Sequence, residues 1–341
     1  MKLTWKTFKL PLKTPFKISY GIRTHQEIVV VKLFDEGNYG LGELSVIPYY
    51  NITSSNVLKL LNEYKNAIER IPWEHPKTFW QGLEKLNIDH PFLVSALDCA
   101  AYDLFLKKQK TSLRAFLNLQ KDLPITNYTI GVSNLSEAKE IITKTPWPSY
   151  KIKADANFDM SYLLELSNIT PSSFRIDANA SWNLKQFLSY LPVLETLPID
   201  FIEQPFPVDA WEETKEAKQL SSIPIIADES CQNIEDIGKC ASSFDGINIK
   251  LMKSGGITPA LEMIQEAKNN QLKIMLGCMT QSSIGIAAIT QLLALADFAD
   301  VDGALLLKQD IGQGSKIEEG IISLSNSFGL GVQLKEAYFF D

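Results

Sequence analysis

Eight short apolar segments, each ending in polar or small residues, recur along the chain at nearly constant intervals. They run over 127–132, 150–153, 174–177, 200–203, 223–228, 246–250, 273–277 and 298–302. Their end residues Thr129, Lys153, Asp177, Glu203, Asp228, Lys250, Gly277 and Asp300 lie 24, 24, 26, 25, 22, 27 and 23 positions apart. A strand, a helix and two loops occupy that length, and eight such units close a (β/α)8-type barrel. Helical periodicity fits between them at 160–167, 183–195, 209–220, 233–241, 258–270 and 282–296. Pro259 near one helix start and Asn269-Asn270 at its end are consistent boundaries.

The residues before this series read differently. Leu3 to Leu10 alternates with period two, and Glu27 to Phe34 is a β-branched run, so both are expected strands, with a polar loop from Ser19 to His25 between them. After Gly37, Gly40 and Gly42 the pattern turns helical, with apolar faces over 54–70 and 91–108. Strands followed by helices make residues 1–123 an α+β unit and leave 124–310 to the barrel. The glycine-containing tail, 311–341, lacks a βα period and is expected to pack back on the first unit.

Composition excludes several function classes. With 45% hydrophobic and 21% charged residues, the chain can bury a core. The longest apolar stretch, Ile284 to Ala296, is broken by Thr290 and Gln291 and falls short of the roughly 20 residues of a membrane span. No membrane partner is expected. The start, Met1 to Lys6, lacks the apolar core of a secretory signal, which points to the cytoplasm. Cys99, Cys231, Cys240 and Cys278 have no CxxC spacing and are expected as mostly buried reduced thiols. Forty acids against 33 bases, without a long basic run, argue against nucleic acid. The only histidines are His25, His75 and His90, so the barrel region has neither a histidine triad nor a His-rich zinc site.

The chemistry must therefore come from the strand ends. Parallel strands buried on both faces normally exclude charge, yet six of the eight segments end in it. Barrel active sites form at that rim, which places these side chains in one pocket. A single strand-end acid more often caps a helix. Asp177, Glu203 and Asp228 on three consecutive strands instead make a hard oxygen set suited to Mg²⁺. Asn179 is expected to face the same way, in support of Asp177 or in an Asx turn. Lys151 and Lys153 share one strand face, and Lys250 stands across the barrel. Lysines near each other and a metal are expected with lowered pKa values, ready as general bases. From opposite walls they address both faces of one carbon, the arrangement for inverting a stereocentre through an enolate.

Lys151-Ile-Lys153, Asp177-Ala-Asn179, Glu203-Gln-Pro205, Ala227-Asp-Glu-Ser230 and the run from Asn248 to Gly256 resemble, in order and spacing, the enolase superfamily and most closely its muconate-lactonizing-enzyme subgroup. The resemblance covers essentially the whole chain. It implies a modified (β/α)7β TIM-type barrel with an N-terminal α+β capping domain. Asp300-Val-Asp302 is similar to the DxD of dipeptide epimerases, where the pair holds the substrate's free ammonium group; a cation in a low-dielectric pocket calls for paired carboxylates.

The same resemblance implies Mg²⁺ on Asp177, Glu203 and Asp228, proton transfer by Lys153 and Lys250, and substrate contacts from Thr129, Lys151, Cys278, Asp300, Asp302 and Arg23. The implied substrate is a small dipeptide, foremost L-Ala-D/L-Glu from murein peptides. Arg23 is a candidate partner for its glutamate side chain, and Gln281 stands where relatives often carry an acid. Elimination or cycloisomerisation of the o-succinylbenzoate synthase kind, and a non-catalytic binding barrel, stay open as alternatives. A homo-oligomer also stays open.

Overall fold

The computed structural model describes residues 1–18, 21–131 and 134–340. The first strands are β1 (Lys2–Ile18), β2 (Gly21–Asp35) and β3 (Asn38–Ser45), paired antiparallel in that order. Helices α1 (Ser54–Ile68), α2 (Pro76–Lys85), α3 (Pro91–Lys108) and the short α4 (Leu113–Phe116) follow. Ile28, Val29, Val30 and Val31 are all fully buried because β2 lies between two cores. Val29 and Val31 meet the helices of this unit, while Ile28 and Val30 belong to the core shared with the barrel.

The expected loop is shorter than the sequence implied. Gly21 to His25 belong to β2, where His25 faces Pro11, and Ser19 and Tyr20 lie outside the described residues. The region after Gly37 is a strand before it becomes helical. Its glycines serve close packing: a Cβ at Gly40 would lie 2.0 Å from the Ala100 carbonyl oxygen, and one at Gly42 1.8 Å from that of Ala96. Both carbonyls belong to α3, so the helix lies directly on the strand backbone. Helix α2 was not anticipated, and its start explains a histidine. His75 and His90 are N-caps, each followed by proline, with Nδ1 accepting from the N–H of Lys77 and of Leu93.

The barrel strands are β4 (Tyr128–Ile130), β5 (Ser149–Lys153), β6 (Ser173–Asp177), β7 (Ile199–Glu203), β8 (Ile225–Ala227), β9 (Gly246–Ile249), β10 (Lys273–Gly277) and β11 (Phe298–Asp300). They form one parallel sheet in chain order, curled until a parallel bridge between Thr126 and Ala299 joins its edges. The expected end of the first segment, Val132, lies outside the described residues. The intervening helices are α5 (Leu135–Lys144), α6 (Met160–Ser167), α7 (Leu184–Leu194), α8 (Trp211–Leu220), α9 (Ile237–Ser243), α10 (Leu251–Ser254), α11 (Ile257–Asn269) and α12 (Ser283–Leu292). Of these, α5 was missed in the sequence; Asn134 caps it. After β11 comes only a 3-10 turn, Asp302–Leu306, so an eighth barrel helix is absent among the described residues. No helix is long and apolar enough to cross a membrane among the described residues.

Buried acids of the first unit hold the rest. Asp98 on α3 accepts from the Thr258 N–H at 2.9 Å and its hydroxyl at 3.0 Å, capping α11 from another domain. Asp103 accepts from Leu41 N and Leu330 N, which ties the C-terminal segment to the same helix. Glu43 on β3 accepts from Ser282 N at 2.9 Å and from the Ser282 hydroxyl at the start of α12.

Burial pushes the Glu43 carboxyl up to about 8 despite those donors. A raised acid pKa contributes stability that is complete below the ordinary value of 4.5 and lost as pH rises through about 8. Wild-type protein should therefore lose more thermal stability than Glu43→Gln between pH 4.5 and 8, measured as Tm by calorimetry. Parallel curves for the two proteins would contradict this.

Candidate active site

The strand ends meet beneath the first unit. One cavity is lined by Thr129, Lys151, Lys153, Asn179, Asp228, Lys250, Cys278, Asp300 and Asp302 from the barrel and by Arg23, Ile47, Tyr49 and Tyr50 from the unit above it. The structure thus brings ten of the twelve sequence candidates to the lining of one cavity. Asp177 and Glu203 do not line it and are buried.

Parallel register explains the convergence. Lys153 faces Asp177, and Asp177 faces Glu203, so adjacent strands end level. Lys151, two residues back on β5, reaches the centre of the acids. Its Nζ lies 3.0 Å from Asp177 Oδ2, 2.7 Å from Glu203 Oε2 and 2.7 Å from Asp300 Oδ2. Lys153 donates to Asp177 Oδ2 at 2.6 Å and to Asn179 Oδ1 at 3.1 Å. Across the barrel, Lys250 donates to Asp228 Oδ2 at 2.8 Å. β5 and β9 are four strands apart in an eight-stranded ring, so Lys153 and Lys250 stand on opposite walls. Asn179 N donates to Asp177 Oδ1 at 3.0 Å, an Asx turn, while its amide also joins Lys153 to Glu229.

The electrostatics follow from these pairs. Burial opposes ionisation of Asp177 and Asp228, but the adjacent lysines outweigh it and hold both below the usual carboxylate range. Glu203 is pushed up to about 7 by burial and by Asp177, with Lys151 opposing. Burial and Asp300 raise Asp302 to about 7, and Asp300 itself is lowered, because Lys151 and Asn127 offset its burial. Burial acts to lower Lys151 and Lys250, yet the surrounding carboxylates prevail and hold both well above the ordinary lysine value. Lowered values were expected for lysines beside a metal; the carboxylates by themselves act the other way on Lys151 and Lys250. Cys278 is raised by burial and by Asp300 and Asp302, so its thiol lines the cavity uncharged.

Asp177, Glu203 and Asp228 are close enough to raise one another, since Glu203 feels both others and Asp177 feels Asp228. Their oxygens are turned to different neighbours, and no group of three acids, histidines or cysteines is arranged as a metal cage among the described residues. Glu203 Oε2 is nonetheless buried without a hydrogen-bond partner, although Lys151 is within ion-pair distance. Asn248 Nδ2 supplies the other oxygen, Oε1, at 2.9 Å. Gly277 makes room for that amide, because a Cβ there would lie 2.4 Å from Asn248 Oδ1.

Several site residues had no assigned role in the sequence reading. Glu229 lines the cavity with a buried, unpartnered Oε2 and is pushed up to about 7 by burial and Asp228. Lys253 is buried and donates to Asp228 Oδ1 at 2.6 Å and to the Cys231 carbonyl at 3.0 Å. Both lie inside the motifs that carried the resemblance, which was the available signal. Tyr50 comes from the first unit, where linear sequence gives no cue.

The whole-chain comparisons agree with this architecture. Residues 2–117 match the mandelate racemase / muconate lactonizing enzyme N-terminal domain, and residues 136–338 match the enolase C-terminal domain-like family. The chain belongs to the enolase superfamily. It is 40% identical over 335 residues to the L-Ala-D/L-amino acid epimerase of Flavobacterium johnsoniae, covering 98% of this chain and 100% of that one. It is 30% identical over 336 residues to the L-Ala-D/L-Glu epimerase of Bacteroides thetaiotaomicron, covering 97% and 88%. The crystal structure of the dipeptide epimerase from Cytophaga hutchinsonii, complexed with Mg and D-Ala-L-Val, superposes with a TM-score of 0.90 at 26% identity, covering 99% of this chain and 97% of that one. With such relatives, the chain is an isomerase of the epimerase type.

Lys253→Met should destabilise the fold by about 3 kcal/mol, because it removes one partner of a buried ion pair. Denaturant unfolding measures this, and an unchanged midpoint would show that Lys250 alone suffices for Asp228.

Proposed function

We propose that the protein is a Mg²⁺-dependent dipeptide epimerase that inverts the α-carbon of the C-terminal residue by 1,1-proton transfer. The observation that carries the reading is the placement of Lys153 and Lys250 on opposite walls of one cavity. As a free amine, one takes the α-proton from one face of the carbon. The other, as an ammonium, returns a proton to the opposite face, and the two exchange roles with the substrate's configuration. Lys151 adds fixed positive charge beside the enolate that forms between the two steps.

The residues suit a divalent cation. Asp177, Glu203, Asp228, Glu229, Asp300 and Asp302 face Lys151, Lys153, Lys250 and Lys253, so six acids oppose four amines and two negative charges remain when all are ionised. Glu203 Oε2, which accepts no hydrogen bond and lies 2.7 Å from Lys151, is a further oxygen able to serve a cation. Held by Asp177, Glu203 and Asp228, Mg²⁺ would supply positive charge against the developing enolate and offset the carboxylates that keep Lys250 protonated.

Asp300 and Asp302 are the proposed anchors of the substrate ammonium. Both are buried at the cavity wall, and the Thr129 N–H donates to Asp302 Oδ2 at 2.5 Å, which fixes its direction. Cys278 and Thr129 bound the space beside them, in keeping with a small first residue such as alanine, which the names of the relatives also support. Arg23, half-buried in the part of the lining that the upper unit supplies, is the proposed partner for a second-residue carboxylate, which favours L-Ala-D/L-Glu as substrate.

Lys153→Ala and Lys250→Ala should each lower epimerisation of L-Ala-L-Glu by about 10²–10⁴-fold. Each should also abolish exchange of the α-hydrogen with solvent deuterium for one antipode only, followed by mass spectrometry. Full activity in either variant would overturn the assignment. Asp302→Asn separates the rivals, because an elimination or cycloisomerisation enzyme has no ammonium to hold and should tolerate it.

A further inference from the structure

Below the rim the barrel holds an arginine that does not reach the cavity. Arg175 on β6, two residues before Asp177, is 3% exposed. Its Nε donates to Asp200 Oδ2 at 3.0 Å, and its guanidinium lies 5.4 Å from the Phe201 ring centroid and 5.7 Å from that of Phe298. Nη1 donates to Asn127 Oδ1 at 2.9 Å and to the Ala299 carbonyl. Burying a guanidinium is costly, and an apolar side chain would fill the same volume without that cost. Among its partners, Asn127 leads toward the active site.

An asparagine amide has one accepting and one donating end. Because Oδ1 of Asn127 is held by Arg175, an obligate donor, the NH2 end must face upward to the active-site layer. There Nδ2 donates to Asp300 Oδ1 at 2.8 Å and approaches Thr129 Oγ1 at 3.4 Å. Lys151 holds the other oxygen, Asp300 Oδ2, at 2.7 Å. Asp300 is thereby gripped on both oxygens, from below and from the side. Without the amide the carboxylate could turn about its own axis and give both oxygens to Lys151.

We propose that Arg175 and Asn127 are positioning residues: Arg175 fixes the orientation of the Asn127 amide, and the amide fixes the rotation of Asp300 to receive the substrate's α-ammonium. This rests on the assignment of Asp300 and Asp302 as the ammonium site. The relay acts on substrate capture, not on proton transfer, so its loss is expressed in KM for substrates that carry the ammonium.

The test compares L-Ala-L-Glu with its deamino counterpart N-propionyl-L-glutamate in wild-type enzyme, Asn127→Asp and Arg175→Lys. Asn127→Asp keeps the shape and the partner of Arg175 but turns a donor to Asp300 into a like charge. Arg175→Lys keeps the charge and loses the planar fork that orients the amide. The expected result for Asn127→Asp is a KM for L-Ala-L-Glu raised about tenfold or more with kcat little changed, while the deamino compound changes by less than about twofold. Arg175→Lys should show the same selectivity at smaller size. Equal losses for both compounds, or no loss in either variant, would overturn the relay and leave Arg175 and Asn127 as packing residues. Should wild-type enzyme handle both compounds alike, the ammonium site itself is misassigned and the relay falls with it. Discrimination in wild type that survives both substitutions defeats the relay alone.

Discussion

The structure turns on the burial of Lys151. An ammonium group at the centre of a barrel is stable only among counter-charges, and this one touches carboxylates from β6, β7 and β11. Those three strands lie on both sides of β5 around the ring, so one side chain draws distant parts of the sheet to a common point. The same contact sets the electrostatics of the site. It lowers Asp177 and Asp300, while Glu203, squeezed between other acids, is raised to about 7. Buried charges without partners are costly, and four of the six acids at the rim have a lysine within ion-pair distance.

The first unit completes this arrangement from outside. Its sheet is buried on both faces, which makes it a wall between two cores. Glu43 and Asp98 reach from it to the starts of α12 and α11, and those helices follow the strand ends that carry Cys278 and Lys250. Arg23, Tyr49 and Tyr50 descend into the same cavity. A ligand there would meet residues of the barrel and of the upper unit together. Chemistry and selectivity can therefore vary separately in this fold.

Much of the site was legible because parallel strands impose a simple rule. Their interiors exclude charge, so a charged residue recurring at the same place in successive strands marks the rim. That rule located Lys153, Asp177, Glu203, Asp228, Lys250 and Asp300 by position alone. It was silent on Asn127, Asn248 and Arg175, one layer down, because a polar residue within an apolar run looks the same whether it faces the barrel axis or a helix. It failed for α2 and α5, whose short amphipathic patterns were obscured by the loops around them. Nor did the sequence reading find β3: the pattern was expected to turn helical after Gly37, Gly40 and Gly42, whereas Gly40 and Gly42 lie in the strand on which α3 rests.

Sequence by itself determined the repeat, the number of strands and the hard, histidine-free chemistry of the rim, because each follows from local periodicity and residue type. His75 and His90, available in principle as bases, are spent as helix caps, a role that follows from their place before proline. Only the tertiary structure decided which way Lys151 and Lys250 shift. Burial taken alone lowers a buried amine; the carboxylates around Lys151 and Lys250 outweigh it and raise both. Desolvation is a property of one residue's burial, whereas the opposing field is a sum over groups from distant strands, and that sum exists only once the barrel has closed.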